Sequence, residues 1–186
     1  MRFFTSDTHF RHANIIQYDS RPFSSVEEMN ETIIETWNMT VSKRDTVYHL
    51  GDIGFGSPAV MWPIIQRLNG RRILVRGNHD LFNGYTARRC AMVHPEMFHD
   101  ICDIDTTRIG EYNVVMSHYP YEDQRFAERA PRMLGDWLIH GHTHKMTPRV
   151  VCGPGGRKMI NVSCCHWDYA PVPETTILHL IRENGG

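Results

Sequence analysis

Neither sign of charge is in surplus in this chain: lysine plus arginine number 20, aspartate plus glutamate 21, and the formal net charge is -1. That balance gives no whole-protein argument for a surface that grips a polyanion, so long nucleic acid is not favoured as a partner. A nucleotide held through bound cations remains compatible with it. Apolar runs long enough to span a bilayer are missing, and the opening Met1-Arg2-Phe3-Phe4-Thr5-Ser6-Asp7 lacks the apolar core of a signal peptide. Cysteine is sparse and unpatterned. Cys90, Cys102, Cys152, Cys164 and Cys165 are odd in number, two are adjacent, and no Cys-x-x-Cys occurs. Neither a disulfide framework nor a zinc knuckle is indicated. The expectation is a cytoplasmic protein with free thiols and no membrane partner. Repeats, low-complexity tracts and interdomain linkers are also absent, so residues 1–186 are expected to form one domain able to bury a layered core.

Histidine, by contrast, is abundant at 12 residues, and its placement is informative. The apolar run Ile73-Leu74-Val75 reads as a buried strand, and Arg76-Gly77-Asn78-His79-Asp80 follows it as a loop. Similar endings recur. A strand over 3–5 delivers Asp7 and His9; one over 46–50 delivers Gly51-Asp52; one over 112–116 delivers Ser117-His118; one over 137–140 delivers Gly141-His142-Thr143-His144. Helices are expected over about 26–40, capped by Ser24 and Ser25, and over 58–68, ended by Asn69-Gly70. Further expectations are a helical stretch from Asp80 to Cys90 or Met92, and a hairpin pairing 100–108 with 112–116. A second hairpin pairs 149–152 with 158–163, and a terminal helix opens at Pro173-Glu174. The first half therefore alternates strand and helix, which argues for parallel pairing with right-handed crossovers.

In such folds ligands bind beyond the carboxyl ends of the strands, which brings the scattered residues to one place. Asp7, His9, Asp52, Asn78, His118, His142 and His144 are too many donors for one catalytic ion, which keeps about three protein ligands and an open position. Two ions sharing a bridging carboxylate account for them. The donors are carboxylate, imidazole and amide without thiolate. That set suits manganese, iron, nickel, cobalt or zinc and disfavours copper(I).

Asp7-x-His9, Gly51-Asp52, Gly77-Asn78-His79-Asp80, His118 and Gly141-His142-x-His144 occur in the order of the calcineurin-like metallophosphoesterases, and the chain resembles the compact prokaryotic and phage-type members. The resemblance implies an α/β fold, a four-layer α/β/β/α sandwich of two mixed β-sheets, with a dinuclear metal site at the strand C-terminal ends. It implies that Asp7, His9 and His144 hold one divalent ion, manganese foremost. Asn78, His118 and His142 would hold the other, with Asp52 bridging. His79 would protonate the leaving oxygen, oriented by Asp80, while a hydroxide on the metals attacks phosphorus. The expected reaction is hydrolysis of a phosphodiester in a small phosphorylated or nucleotide substrate, cyclic nucleotides included. Phosphomonoesterase or nucleotide pyrophosphohydrolase activity is the alternative on the same site. A non-catalytic interaction module is the alternative from another class.

Around these motifs, Arg11, His12, Asn14 and Tyr119 are candidate substrate contacts, with a solvated loop as the other reading of Arg11 and His12. Arg21 reads as a solvated loop residue, and Arg125, Arg129 and Arg132 as a solvated face. Arg76 either pairs a carboxylate or binds phosphate. His94, His99, His166 and His179 read as structural, and His49 and His140 as pointing away from the ligands beside them. Trp167-Asp168-Tyr169 is either packing or a pocket wall.

Overall fold

The computed structural model describes residues 1–80, 96–129 and 135–185. The helix expected after Asp80, His94, Cys90 and Arg132 lie outside them. The first strand is β1 (Arg2–Thr5), followed by one short helical turn, α1 (Asn14–Tyr18), and then by α2 (Val26–Thr40). The chain continues as β2 (Thr46–His49), α3 (Pro58–Ile65), β3 (Arg71–Val75), β4 (Asp100–Cys102), β5 (Ile104–Ile109) and β6 (Tyr112–Ser117). It closes with α4 (Gln124–Arg129), β7 (Trp137–His140), β8 (Val150–Cys152), β9 (Lys158–Asn161), β10 (Val172–Pro173) and α5 (Glu174–Glu183).

Two mixed sheets result, ordered β10-β1-β2-β3-β4 and β5-β6-β7-β9-β8. In the first, β1 to β4 run parallel and β10 is the antiparallel edge. In the second, β6, β7 and β9 run parallel between two antiparallel edges. The alternation of apolar residues assigns the layers, because successive strand side chains point to opposite faces. Phe3, Val47 and Leu74 face α2 and α3, sharing a core with Met29, Ile33, Trp37, Met61 and Ile65. Their neighbours Phe4 and Val75 face the other sheet, meeting Val114, Met116, Ile139 and Ile160. On that sheet's outer side, Val115 and Leu138 pack with Phe126 of α4. The order is helix, sheet, sheet, helix, as expected.

Local chemistry explains where the longest helix begins. The α2 start is a reciprocal cap: Ser25 Oγ accepts from Glu28 N at 3.1 Å, and Ser24 N donates to the Glu28 carboxylate at 2.8 Å. The expected strand over 100–108 is instead two. It bends at Asp103, where the Arg76 guanidinium holds the carboxylate, Nε donating at 3.0 Å. β4 thereby joins β3 in the first sheet and β5 joins β6 in the second. Arg76 is thus a carboxylate partner. β10 was not expected either; two residues pairing across to β1 leave no pattern in the sequence.

Candidate dinuclear metal centre

Five strands of the two sheets end at one place. Asp7 and His9 follow β1, Asp52 follows β2, Asn78 follows β3, His118 follows β6, and His142 and His144 follow β7. Two triads of ligand atoms form there, Asp7-His9-His144 and Asp52-His118-His142, each with its atoms within 4.8 Å of one another.

In the first triad, Oδ2 of Asp7 accepts from the hydroxyls of Ser6 and Ser163, both at 2.7 Å, leaving Oδ1 at 3.4 Å from His144 Nε2. His9 and His144 point their Nε2 atoms at each other across 3.2 Å. Two such nitrogens can share one proton or one cation, with Asp7 Oδ1 beside them as a further ligand. Behind His144, Nδ1 lies 3.3 Å from Asp19 Oδ2, a carboxylate that sets which nitrogen is left to bind. Asp19 in turn accepts from Arg21 Nε at 3.1 Å. Arg21 is therefore not a solvated loop residue. It is buried, and its guanidinium donates to the carbonyls of Asp7 at 2.8 Å and Thr8 at 3.0 Å. The loop after β1 is built around this guanidinium because its carbonyls have no strand partner there. Replacing Asp19 with Asn removes the charge behind His144, and is expected to weaken metal binding about 10–100-fold with little loss of fold, measurable by competition with a chelating dye.

In the second triad, His118 Nδ1 donates to Leu50 O at 2.7 Å, so Nε2 carries the lone pair. That Nε2 and Oδ1 of Asn78 are buried without a hydrogen-bond partner among the described residues. Orphaned acceptors in such a place are costly unless a cation takes them. Both atoms therefore fit a metal ligand set. His142 Nε2 lies 3.5 Å from Asp123 Oδ2, a carboxylate that can take an Nε2 proton and leave the Nδ1 lone pair for a metal, while Arg125 Nη2, 2.8 Å from the same nitrogen, can only donate and competes for it. Arg125 also donates to Asp123 and lies 4.3 Å above the Tyr119 ring, and Arg129 lies 4.8 Å from that ring while donating to Arg76 O. Neither arginine belongs to a merely solvated face.

Asp52 stands between the triads. Its Oδ2 is 3.8 Å from His9 Nε2 and 3.5 Å from His118 Nε2, while Oδ1 accepts from His79 N at 2.9 Å. Burial raises the Asp52 carboxyl to about 7, against the pull of His118. Burial acts to raise Asp7 as well, but His144 outweighs it and holds that carboxyl well below the usual range. His142 is pushed down to about 4, by burial first and then by His118 and Arg125. Asp7, His9, Asp52, His142 and His144 all have left-handed backbones, with φ of 55°, 51°, 57°, 69° and 46°. Non-glycine residues in this region are strained, and such strain concentrates at functional sites. The motif glycines meet a different need. Gly77 has no positive φ; a Cβ there would strike the Asp52 carboxylate and come within 2.7 Å of Asp52 N. It serves close approach of two loops, not the turn.

Asp80 departs from the expected role. Its carboxylate is fully buried and accepts from the backbone of Gly77 at 2.6 Å, Asp52 at 2.8 Å and Ile53 at 3.0 Å. It ties the β2 and β3 loops together instead of hydrogen-bonding the His79 ring, because three N–H groups left without strand partners converge on it. His79 itself is 41% exposed, with Nε2 3.9 Å from Asp52 Oδ2 and its ring 4.8 Å from that of Phe55.

A cleft of about 360 Å³ opens over the triads, lined on one side by His12, Ile15, Tyr18 and Phe55. Of the expected substrate contacts, His12 lines it. Arg11 and Asn14 are exposed outside it, since α1 presents Ile15 and the rim residue Tyr18 to it instead, and Tyr119 is buried against His118 and His142. His49 and His140 are buried and held at about 4, mainly by burial, with His49 Nε2 on Thr8 Oγ1 and His140 Nδ1 on Gly141 O. His166 Nε2 meets His144 O at 2.8 Å, His99 is exposed, and His179 pairs with Glu183. Trp167 and Tyr169 are packing: Trp167 Nε1 donates to Asn161 O, and Tyr169 stacks edge-on with Phe23. Asp19, Asp123 and Ser163 carry no signal in the sequence, and neither does Asn161, whose Nδ2 donates to His144 O at 2.8 Å and whose Oδ1 accepts from Ser163 N at 2.9 Å, beyond its place at the end of β9.

Comparison with known proteins gives the family. A family model described as the calcineurin-like phosphoesterase superfamily domain matches residues 2–183. Uncharacterized protein MJ1445 of Methanocaldococcus jannaschii is 37% identical over 185 residues, covering 96% of this chain and 89% of that protein. Gene 66 protein of Mycobacterium phage L5 is 31% identical over 183 residues, covering 88% and 86% respectively. The crystal structure of AQ665, a protein of unknown function from Aquifex aeolicus, aligns with a TM-score of 0.75 at 30% identity over 97% of this chain and 99% of that one.

Proposed function

The chain belongs to the calcineurin-like phosphoesterase superfamily and is a phosphoric ester hydrolase, and on that premise we propose that it cleaves phosphodiesters with two divalent cations. Asp7, His9 and His144 would hold one, Asn78, His118 and His142 the other, with Asp52 shared. The observation that carries this reading is the facing pair of triads with Asp52 Oδ2 between them and two buried ligand atoms left without partners. Cations there would neutralise phosphate charge and activate water at neutral pH. His79, overhanging Asp52 from an exposed position, is placed to give a proton to the leaving oxygen. Asp80 supports it indirectly, by fixing the loop that carries it. The cleft lining among the described residues includes neither lysine nor arginine, which suits the single charge of a diester better than the two of a monoester. Manganese is the first metal to test, given donors of carboxylate, amide and imidazole type without thiolate.

The deciding experiment loads the protein with manganese and compares bis(p-nitrophenyl) phosphate, p-nitrophenyl phosphate, a 2′,3′-cyclic nucleotide and single-stranded DNA. Preferential cleavage of the diester and cyclic nucleotide supports the proposal. Preference for the monoester would replace it with a phosphomonoesterase, and no hydrolysis at full metal content would indicate an interaction module. Metal uptake should also release protons. Burial acts to lower His144, but Asp19 and Asp7 raise it to about 10, so below that pH a cation displaces a proton from it. Affinity is expected to rise with pH through neutrality, and calorimetry in buffers of different ionisation enthalpy checks this.

A further inference from the structure

The two walls of the cleft differ in chemistry. The triads form one, and His12, Ile15, Tyr18 and Phe55 form the other. Ile15 and Tyr18 stand three residues apart on α1, hence on one helical face. Ile15 is buried, whereas Tyr18 is 74% exposed, a large ring left in water at the cleft rim. Single exposed aromatics are ordinary, but this one has company. The His12 ring lies 4.2 Å from Phe55 and 6.3 Å from Tyr18, and Phe55 reaches the His79 ring at 4.8 Å. A continuous row of ring faces and edges thus runs from His79 outward to the solvent.

We propose that this row is the platform on which the base of a mononucleotide stacks while its phosphorus sits over Asp52. The proposal rests on the reading of the triads as the phosphate site. A substrate anchored there meets the row at Phe55, which borders both His79 and, with ring centroids 6.0 Å apart, His9. Planar groups gain most from such a surface, since every base presents a π face to it. The cleft volume of about 360 Å³ suits one nucleotide, and the lack of lysine and arginine in its lining among the described residues disfavours a strand or a polyphosphate tail.

Calorimetric titration of the manganese-loaded protein with adenosine 5′-monophosphate, ribose 5-phosphate and hexyl phosphate, monoesters of the kind that diester cleavage leaves at the centre as product, tests this. The first should bind roughly tenfold or more tightly than the second, which lacks only the base. That ratio should fall toward one in Tyr18→Ala and in Phe55→Leu, and persist in Tyr18→Phe, which keeps the ring. Equal affinities in the wild type, hexyl phosphate binding as tightly as the nucleotide, no binding of either sugar phosphate, or a ratio surviving both ring-removing variants would each overturn the platform. Hydrolysis of bis(p-nitrophenyl) phosphate by the same sample reports separately on the catalytic reading.

Discussion

His79→Ala is expected to lower kcat by roughly 10²–10⁴-fold while two cations per chain remain bound. His79 belongs to neither triad, and its ring is 41% exposed, so removing it uncovers no buried partner. Its link to the centre runs through the main chain, N donating to Asp52 Oδ1 at 2.9 Å, and alanine keeps that bond. What is lost is an imidazole whose pKa is lowered, by burial first and with Asp80 opposing, so its protonated form gives up the proton readily and is populated mainly on the acid side of neutrality. The deficit should therefore grow with the basicity of the leaving group, being larger for an alkyl ester than for a nitrophenyl ester. Elemental analysis beside steady-state kinetics separates the roles: a variant that loses metal as it loses rate would show His79 to be a ligand.

Asp52→Asn should behave oppositely, with metal content falling toward zero and activity dropping by at least about 10³-fold. Among the described residues Oδ2 is the one carboxylate oxygen that faces His9 and His118 together, so no neighbour there substitutes for its charge. The metal-free variant should nevertheless be more stable than metal-free wild type above neutrality. The sign follows from the carboxyl pKa of about 7 against an ordinary value near 3.8. The folded state binds the extra proton, so the group's destabilising effect grows as pH rises from about 4 toward 7 and is complete above that. An amide does not titrate and escapes this. Melting curves at pH 8 with and without manganese measure both halves: a higher Tm without metal, and no gain on adding it.

Much of this centre was legible because its donors sit in short motifs directly after strands. Asp7, Asp52, Asn78, His118 and His142 each follow a short, largely apolar run that reads as β, and parallel strands deliver their carboxyl ends to one edge. The supporting residues were not legible. Asp19 lies in a polar loop with no periodicity, and Asp123 and Arg125 read as an ordinary charged surface, yet each carboxylate stands behind a histidine of a different triad. Arg21 looked solvated for the same reason. A charged residue in a loop declares itself buried only when another loop closes over it. The break at Asp103 was hidden because β4 and β5 are both extended, and which sheet each joins depends on a guanidinium 27 residues away.

By itself, then, the sequence determined the kinds of donor, their order along the chain and their position at strand ends, which is enough to specify the family and its reaction. Local patterns suffice there, since strand propensity and a following Gly or Asp act over a few residues. The tertiary structure alone decided which atom of each donor faces inward. Ser163, 156 residues from Asp7, turns that carboxylate by bonding Oδ2, and Leu50 O, 68 residues from His118, takes Nδ1 and leaves Nε2. Selecting a lone pair requires a partner on its other side, and the fold alone brings such partners from distant parts of the chain.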